Sequence, residues 1–538
     1  MKPYSIIVLM LISLLSVSCS DFWDKEPQGV FTLDSYYQTP DEILTGVTYC
    51  YQALWLQEFQ SGRFMVGNIM TDDAAKGGPV NEGVDIINSV AFNILPNTSL
   101  ADRFWGNCYT GLTRCNLMLD IISKRDFSEE NPSGYDLKNR MEGELKFLRA
   151  FFSYYLVTVF GEVPYFTRPT VSNLTPDLYE SKDRSVIWQQ IMDDLTDAVE
   201  YLPKKDEYQA SDQGRITKGA AQFLLARAYL FNERYDDAAV VLRALIKEDN
   251  YTLCPDYKDI FAKENEFSTE SIFEIPFGEQ EFWRTPGSGG HGQVMTQFQS
   301  SRSDSGWGYN VPTQDLVDAF EEGDPRLIYS VIFPDDEFQE GVKQKDDTSK
   351  YGYFNRKIFL PVGQREPVGN VDFHLRMFRL ADAYLMYAEA STLGTSEKNT
   401  DEAIHYLNEV RKRANNSTKK DPLRVVQSKT IENVSIPERV YTTDEQLMAD
   451  IKHERRVELA MEDIRYWDLL RWGDIEETMK AYYENWKGQP TSDGIPDDKG
   501  KEVSEWVNRF PDDVYPVFPV PQDAIINSDN QITQSKYY

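Results

Sequence analysis

The chain is poor in cysteine and histidine, the residues that most often form disulfide frameworks and zinc sites. It has five cysteines among 538 residues, and a small, odd number does not make a disulfide framework. Cys108 and Cys115 are seven residues apart, a rise of about 10 Å on a helix and too far for a bridge. No two histidines have metal-ligand spacing, so we expect no zinc site. The four histidines are His291, His374, His405 and His453.

Positive charge is also scarce. Lys and Arg number 56 against 87 Asp and Glu, which gives a formal net charge of −31. The negative electrostatic field of this charge repels phosphate backbones, so nucleic acid is a poor partner. The same field argues weakly for neutral ligands.

Sequence motifs of catalysis are missing. No serine nucleophile elbow, HExxH, P-loop or dinucleotide fingerprint occurs. A glycoside hydrolase needs two carboxylates across a sugar, but among 87 acidic residues some pair always fits, so that pattern decides nothing. We therefore predict a protein without enzymatic activity.

Long hydrophobic runs are missing except at the start of the chain. After Lys2, residues 6–15 form an apolar stretch that is too short to span a bilayer but typical of a signal peptide. Small residues then lead to Cys19, which predicts a lipoprotein signal peptide over residues 1–18 and a lipid on Cys19. An ordinary signal peptide cut nearby is the alternative. No later stretch is apolar enough to span a membrane.

Helical periodicity is present through much of the chain and predicts a mainly α fold. Two stretches, 217–247 and 377–413, each read as two antiparallel helices in which small and large side chains alternate. This pattern lets two helices approach closely and resembles a tetratricopeptide repeat. Two repeats cannot form a solenoid alone, so we expect further helices to complete it. Helices are predicted at 40–60, 101–123, 137–158 and 185–201, and the last three are expected to build two looser repeats.

Three regions have the composition of loops. They are 61–100, 250–370 and 476–538. The second contains a short strand-like run at 271–277 and then glycine, serine and tryptophan. We expect helical repeats over about 40–250 and 375–475, with a large irregular insertion between them. Long ordered loops are usually functional.

Three motifs resemble one known family. Cys19 is followed by the acidic and aromatic segment SDFWDKEP. Residues 454–474 contain Arg-Arg-x-Glu-Leu-Ala and then Asp-Leu-x-Arg-Trp, and residues 517–538 contain Pro-x-Pro, asparagines and a final tyrosine. In these motifs the whole chain resembles the SusD/RagB family of Bacteroidetes nutrient-binding lipoproteins. It departs from the family at residues 461–463, Met-Glu-Asp, where Phe-Glu-Gly is more usual.

The resemblance implies a fold and a function. It implies that residues 19–538 form a single SusD-like domain, anchored by lipid in the outer membrane at the cell surface. Members of the family bind oligosaccharides or, less often, peptides, and lie over a SusC-type TonB-dependent transporter. We therefore expect a glycan as the ligand, with a peptide as the alternative. We expect no cofactor, and the sequence leaves open a structural calcium ion in an acidic loop.

Candidate ligand residues come from two loop regions, 71–100 and 282–310, to which the resemblance points by region only. The first region offers carboxylates and amides that can hydrogen-bond to hydroxyls, at Asp72, Asp73, Asn93 and Asn97. The second offers flat rings and a donor, at Trp283, Trp307, Tyr309 and Arg302. Structural packing within a loop is the alternative for each of them. Trp307 lies between glycines and has no obvious core partner.

The arginine-rich stretch 446–472 reads as a helix with a structural role. Arg455 and Glu458 are spaced i,i+3, as are Arg465 and Asp468, so both pairs can form on the helix surface. We assign this motif to holding the last repeat in place. Tetratricopeptide surfaces also bind peptides, so a protein-binding scaffold is a rival interpretation, against which the signal peptide argues.

Overall fold

Helices form most of the secondary structure in the computed structural model of this protein. The structure describes residues 36–79, 82–90, 92–125, 136–170, 175–248, 250–278, 292–339, 342–343, 352–361, 364, 371–485, 499–511 and 515–538. By its internal contacts the chain divides into two units, Met1–Gly46 and Val47–Tyr538. The described part of the first unit holds the start of the first helix, and the other elements belong to the second unit.

Eighteen α-helices occur in the described residues, which confirms the predicted fold class. In chain order they are α1 Pro40–Trp55, α2 Gln57–Phe64, α3 Val84–Val90, α4 Ser99–Ser123, α5 Leu137–Phe160, α6 Arg184–Tyr201, α7 Lys218–Phe231, α8 Tyr235–Glu248, α9 Met295–Gln299, α10 Gln314–Ala319, α11 Arg326–Ser330, α12 Leu380–Leu393, α13 Thr400–Asn416, α14 Asp444–Glu458, α15 Arg465–Trp472, α16 Ile475–Asn485, α17 Lys499–Val507 and α18 Gln522–Asn527. A π-helical turn, Met65–Ile69, follows α2. In the part of the chain that the structure describes, no helix is long and apolar enough to cross a membrane.

Both predicted helix pairs are present. α7 packs against α8 and α12 against α13, and α8 also packs against α12, which joins the two pairs. Thr217 and Asn399 cap α7 and α13, because their side chains accept hydrogen bonds from the backbone of Ala220 at 3.2 Å and Glu402 at 3.1 Å. The structure therefore confirms the helical repeats predicted at 217–247 and 377–413.

The helices α4, α5, α6 and α7 pack in succession and carry the aromatic core. Phe147, Phe151 and Phe152 of α5 are all buried, and the Phe151 ring lies 5.2 Å from that of Tyr155. These aromatic side chains therefore serve packing. The helix predicted at 40–60 is two helices, α1 and α2, because Leu56 between them has extended backbone angles.

Ten short strands pair in twos. They are β1 Ala74–Gly77, β2 Val163–Pro164, β3 Ser181–Lys182, β4 Ser271–Ile275, β5 Tyr309–Pro312, β6 Val331–Ile332, β7 Glu337–Gln339, β8 Val342–Lys343, β9 Phe354–Asn355 and β10 Leu375–Arg379 in the described residues. β4, the strand expected at 271–277, pairs with β10 in an antiparallel arrangement. This pair brings together the beginning and the end of the insertion.

Region 61–100 is not the loop that its composition predicted. It contains the end of α2, the π-helical turn, β1 and α3, and residues 59–78 are all buried. The prediction of a loop was wrong because the small and polar residues of this region have partners inside the protein. Asn68 Nδ2 donates to Asp463 Oδ1 at 2.7 Å, and Gly67 leaves room for the backbone of Asp463, which a Cβ would approach to 2.6 Å.

The predicted arginine-rich helix is two helices, α14 and α15. The chain turns between them, where Met461 and Asp463 have left-handed φ angles of +62° and +61°. The predicted surface pairs are wrong as well, because the arginines point inward. Arg455 pairs at 2.8 Å with both Asp382 of α12 and Asp468 of α15. These contacts join α14 to its neighbours, as expected of a motif that holds the last repeat.

Glu458, the last residue of α14, is the centre of a buried ion-pair network. Its carboxylate accepts hydrogen bonds from Arg326 at 2.9 Å, from Arg379 at 2.6 Å and from Arg413. Burial alone would raise the pKa of Glu458, but the three guanidinium groups hold this pKa well below its ordinary value. The network joins α11 of the insertion to β10, α13 and α14.

Asp463 gives a prediction about pH dependence. Its carboxylate lies 3.3 Å from Arg63, and burial raises the pKa of Asp463 from 3.8 to about 6. A carboxyl group whose pKa is raised on folding stabilises the fold below the unfolded value, and that contribution is lost as the pH rises through 6. Asp463→Asn keeps the neutral shape and accepts a positive φ. We expect this variant to gain ~1–3 kcal/mol in the free energy of unfolding above pH 6.

Denaturant unfolding of both proteins between pH 4 and pH 7.5 would test this expectation. The advantage of the variant should be largest at pH 7.5 and should shrink toward zero as the pH approaches 3.8. A variant that becomes less stable than the parent as the pH rises through 6 would show that the charged carboxylate stabilises the fold through Arg63.

The C-terminal region, predicted to be rich in loops, is nevertheless fixed to the helices. It contains most of α16 and all of α17 and α18, and the side chains of Val517 and Phe518 are buried. Phe518 N donates to Val159 O of α5 at 2.7 Å, and Tyr538 Oη donates to Val517 O at 2.7 Å. The chain end is therefore part of the packed structure.

The described cysteines are buried, and Cys108 and Cys115, both in α4, form no disulfide bridge with each other. Burial raises the pKa of the Cys108 thiol, so this side chain behaves as a small apolar group. Cys19 lies outside the described residues.

Candidate functional site

Two of the loop regions predicted to bind ligand lie together in the antiparallel ribbon of β1 and β5. Gly77 lies opposite Tyr309 and Ala74 opposite Pro312, although these segments are about 230 residues apart in the chain. Gly77 has a φ of +69°, and a Cβ at this position would lie 2.1 Å from Gly308 O. Glycine is therefore required for the ribbon to close.

Trp307 comes immediately before this ribbon and is half-buried. Its ring centroid lies 4.3 Å from that of Phe298 and 6.4 Å from that of Tyr309. Phe298 in turn contacts Phe64 at 5.6 Å, and Trp307 N donates to Gln297 O at 2.8 Å. The indole thus has core partners that the sequence did not reveal, and they fix it while part of it stays in contact with solvent.

A charged pair contacts the backbone of Trp307. Arg302 Nε donates to Trp307 O at 3.0 Å, and the Arg302 guanidinium pairs with the carboxylate of Glu82. These two side chains are 33% and 47% exposed. Burial raises the pKa of Tyr309, and the negative charge of Glu82 adds to this effect. Hydrogen-bond donors and acceptors therefore lie next to the backbone of Trp307 and the side chain of Tyr309.

Lys76 is a residue of this site that sequence reasoning missed. Its ammonium group is buried and donates to the carbonyl oxygens of Gly77 at 2.8 Å, Pro79 at 3.0 Å and Glu82 at 3.2 Å. It also lies 5.7 Å from the centroid of the Tyr309 ring. Lys76 therefore holds the backbone of Glu82 next to β1. A single lysine in a glycine-rich segment gives no sequence signal that it is buried.

Asp72 and Asp73, predicted to bind ligand, are buried and paired with arginines. Arg465 forms a bidentate pair with Asp72 at 2.9 and 3.0 Å, and Arg456 Nε donates to Asp73 Oδ1 at 2.7 Å. Burial opposes ionisation of both carboxyl groups. At Asp72 the charges of Arg465 and Arg456 outweigh this effect and lower the pKa. At Asp73 burial outweighs the arginines and raises the pKa. The two aspartates hold β1 against α14 and α15, and we do not include them in the ligand site.

The remaining predicted residues lie elsewhere. Asn93 and Asn97 are exposed, on a segment that contacts the C-terminal region. Next to them, the Phe92 ring lies 5.1 Å from that of Trp506, and Pro96 O accepts a hydrogen bond of 2.7 Å from the backbone of residue 522. These contacts of the neighbouring residues place the segment that carries both asparagines next to the C-terminal region. Trp283 lies outside the described residues.

The group of Trp307, Tyr309, Arg302 and Glu82, here called the Trp307 site, combines a partly exposed ring with a rim of polar side chains. An aromatic face offers apolar area to a flat ligand, and charged side chains at its edge can donate to and accept from hydroxyl groups. The arrangement is therefore suited to a ligand with a flat apolar face and a polar edge.

Profiles of two known families match the chain. The profile described as the SusD family matches residues 269–538. The profile described as starch-binding associating with outer membrane matches residues 43–230.

Full-length relatives agree with these matches. A SusD-like protein of Bacteroides ovatus is 24% identical over 535 residues, covering 92% of this chain and 88% of the relative. The starch-binding protein SusD of Bacteroides thetaiotaomicron is 23% identical over 545 residues, covering 89% and 86%. The solved surface glycan-binding protein A from Bacteroides thetaiotaomicron in complex with laminarihexaose shares the fold, with a TM-score of 0.71 at 22% identity over 93% of this chain and 99% of that one. The chain belongs to the SusD family.

Proposed function

We propose that this protein binds a glycan at the cell surface and delivers it to a SusC-type TonB-dependent transporter. The observation that carries this proposal is the Trp307 site, where a fixed and partly exposed indole belongs to a residue whose backbone carbonyl contacts the Arg302–Glu82 pair. A sugar ring presents a C–H face that packs on an indole and a rim of hydroxyls that matches such polar side chains.

The named ligands of the relatives support a neutral glycan. One relative is named for starch, and the solved relative holds laminarihexaose, so both names point to glucans. The net charge of −31 agrees with an uncharged ligand, because it disfavours the approach of acidic polysaccharides.

The proposal assigns binding and not catalysis to this site. Hydrolysis of a glycosidic bond needs one carboxyl group kept protonated and a second carboxylate across the sugar. At the Trp307 site, Glu82 is paired with Arg302, and the nearby Asp72 and Asp73 are buried against Arg465 and Arg456. These carboxylates are held by arginines, an arrangement that suits structure and binding.

The location belongs to the same proposal. We place the protein on the outer membrane, held by a lipid on Cys19, as a cover over the transporter. Support comes from the signal-peptide pattern of residues 1–19 and from the matching profile, whose description names association with the outer membrane. Two or more acyl chains provide a stable anchor.

Calorimetry of the purified protein against a glycan panel tests the function. The panel contains starch oligosaccharides, laminarin oligosaccharides, polygalacturonate and a mixed peptide digest. We expect binding to one class of neutral glycan, with the oligosaccharide unchanged in length after prolonged incubation. Binding of the peptides alone would change the cargo from glycan to peptide. Shortening of the bound oligosaccharide would overturn the assignment as a binding protein without catalysis.

A further inference from the structure

Three side chains with metal-binding atoms converge at the β4–β10 pair, away from the Trp307 site. They are Glu266, Asp372 and His374, and one donor atom from each lies within 4.8 Å of the others. Glu266 is about 100 residues from the other two, so no spacing in the sequence could show this cluster. His374 is 8% exposed, and the two carboxylates are half-buried.

The imidazole of His374 lies between two carboxylates. Its Nδ1 is 3.0 Å from Glu274 Oε2, and its Nε2 is 3.2 Å from Glu266 Oε2. A neutral imidazole has one N–H and can donate to only one of these oxygens. The other contact then brings a nitrogen lone pair against a carboxylate oxygen, and it becomes favourable when a proton or a metal ion lies between the two atoms.

Glu274 decides which nitrogen carries the proton. It is 2% exposed, and its Oε1 accepts a hydrogen bond of 3.1 Å from Phe267 N, so its carboxylate is fixed in place. With Nδ1–H donating to Glu274, the lone pair of His374 Nε2 points toward Glu266. A carboxylate that orients a histidine in this way is the usual outer partner of a metal-binding imidazole.

We propose that His374 Nε2 and the carboxylates of Glu266 and Asp372 bind a zinc ion, and that Glu274 orients His374 for this purpose. A nitrogen ligand with two carboxylates suits zinc, whereas calcium and magnesium take oxygen ligands. Three protein ligands leave the fourth position to water. This proposal departs from the expectation, drawn from histidine spacing, that the protein has no zinc site.

The distances are close to those that zinc needs. Ligands at 2.0–2.2 Å in a tetrahedral site lie ~3.4 Å from one another. His374 Nε2 and Glu266 Oε2 are 3.2 Å apart, which is already close to this separation. The donor atom of Asp372 lies within 4.8 Å of the other two, so it would have to move by ~1 Å or slightly more.

Two neighbouring cations compete for the same carboxylates. Lys263 Nζ lies 3.3 Å from Asp372 Oδ2, and Arg376 Nη1 lies 3.7 Å from Glu266 Oε1. These contacts involve one oxygen of each carboxylate, and the ion would bind the other. Arg376 is held further by hydrogen bonds of 2.8 Å to the carbonyl oxygens of Ala262 and His374, so it can stay in place when zinc binds.

Isothermal titration of the purified protein with zinc chloride tests the proposal. We expect one zinc ion per chain and a higher unfolding temperature with zinc, but no response to calcium or magnesium. Asp372→Asn, at a half-buried ligand, should weaken zinc binding by at least about tenfold, and Glu274→Gln by about 10- to 100-fold. His405→Gln, at an exposed histidine of α13, is the matched control and should bind zinc like the parent.

Three results would overturn the zinc site. One is equal loss of binding in His405→Gln, which would place the ion on surface histidines. Another is unchanged affinity in Asp372→Asn. The third is an absence of zinc binding by the parent protein. An NMR spectrum in which both ring nitrogens of His374 carry protons would then show that a charged imidazole pairs with both carboxylates. If Glu274→Gln fails to fold, Asp372→Asn decides.

Discussion

Replacing Trp307 with alanine should remove most of the affinity for the glycan, by about 10- to 100-fold or ~1.4–2.8 kcal/mol. The indole supplies the ring face on which a sugar packs, and no side chain of similar area takes its place in the variant. Trp307→Phe retains a smaller flat ring and should lose less affinity than Trp307→Ala. Calorimetry with the best ligand of the glycan panel measures all three proteins.

Stability must be separated from binding in this comparison, because Trp307 also packs against Phe298. The unfolding temperature of each variant should therefore be measured beside its affinity. Tyr441→Ala is the matched control, since Tyr441 is an exposed aromatic residue, 41% exposed, outside the Trp307 site. Full affinity in a folded Trp307→Ala variant would place the glycan site elsewhere on the protein.

The second large effect is on stability, and we expect it from Glu458→Gln. This change leaves Arg326, Arg379 and Arg413 buried without the negative charge that they share. Removing one partner from a buried ion pair costs about 3–5 kcal/mol, a large part of the 5–15 kcal/mol that stabilises a typical domain. The midpoint of denaturant unfolding should fall accordingly.

The pH dependence of the same variant provides an independent check. The pKa of Glu458 is lowered on folding from 4.5, so its contribution is fully present above that value and is lost as the pH falls below it. Glu458→Gln has no carboxylate to protonate, so its free energy of unfolding should fall less at acid pH than that of the parent. The difference in stability between the two proteins should therefore shrink as the pH falls.

Glu409→Gln serves as the control for Glu458→Gln. The side chain of Glu409 is 37% exposed and lies 3.5 Å from Lys412, an exposed pair that contributes at most ~1 kcal/mol. Equal effects of the two changes would contradict the idea that the network around Glu458 is a main source of stability.

The helices could be predicted because their signals are local. The alternation of small and large residues at 217–247 and 377–413 indicated two helix pairs, and both are present as α7–α8 and α12–α13. Such periodicity depends on residues three or four positions apart, which the sequence displays directly. The family resemblance, carried by the motifs at 454–474 and 517–538, is confirmed for the same chain.

The predictions that failed concern contacts between distant segments. Region 61–100 looked like a loop because glycine and aspartate favour turns. In the structure, Asp72 and Asp73 instead neutralise Arg465 and Arg456, nearly 400 residues further on. Arg455 likewise finds its carboxylates in α12 and α15. Composition cannot show which charge lies opposite which.

The candidate site was predictable only in part for the same reason. Trp307, Tyr309 and Arg302 were found from the type of residue and the glycine-rich context, and they do lie together. Glu82 and Lys76 were missed, because their roles depend on the ribbon that brings β1 to β5. Whether these residues bind the ligand is still a prediction.

The β1–β5 ribbon also determines when the site can form during folding. Contacts across about 230 residues require closure of a very long loop, and chains dominated by such contacts fold slowly. The helix pairs can form earlier, since their partners are neighbours in sequence. Glycan binding at Trp307 should therefore appear only in the last kinetic phase of refolding, and bound ligand would report completed folding of the whole chain.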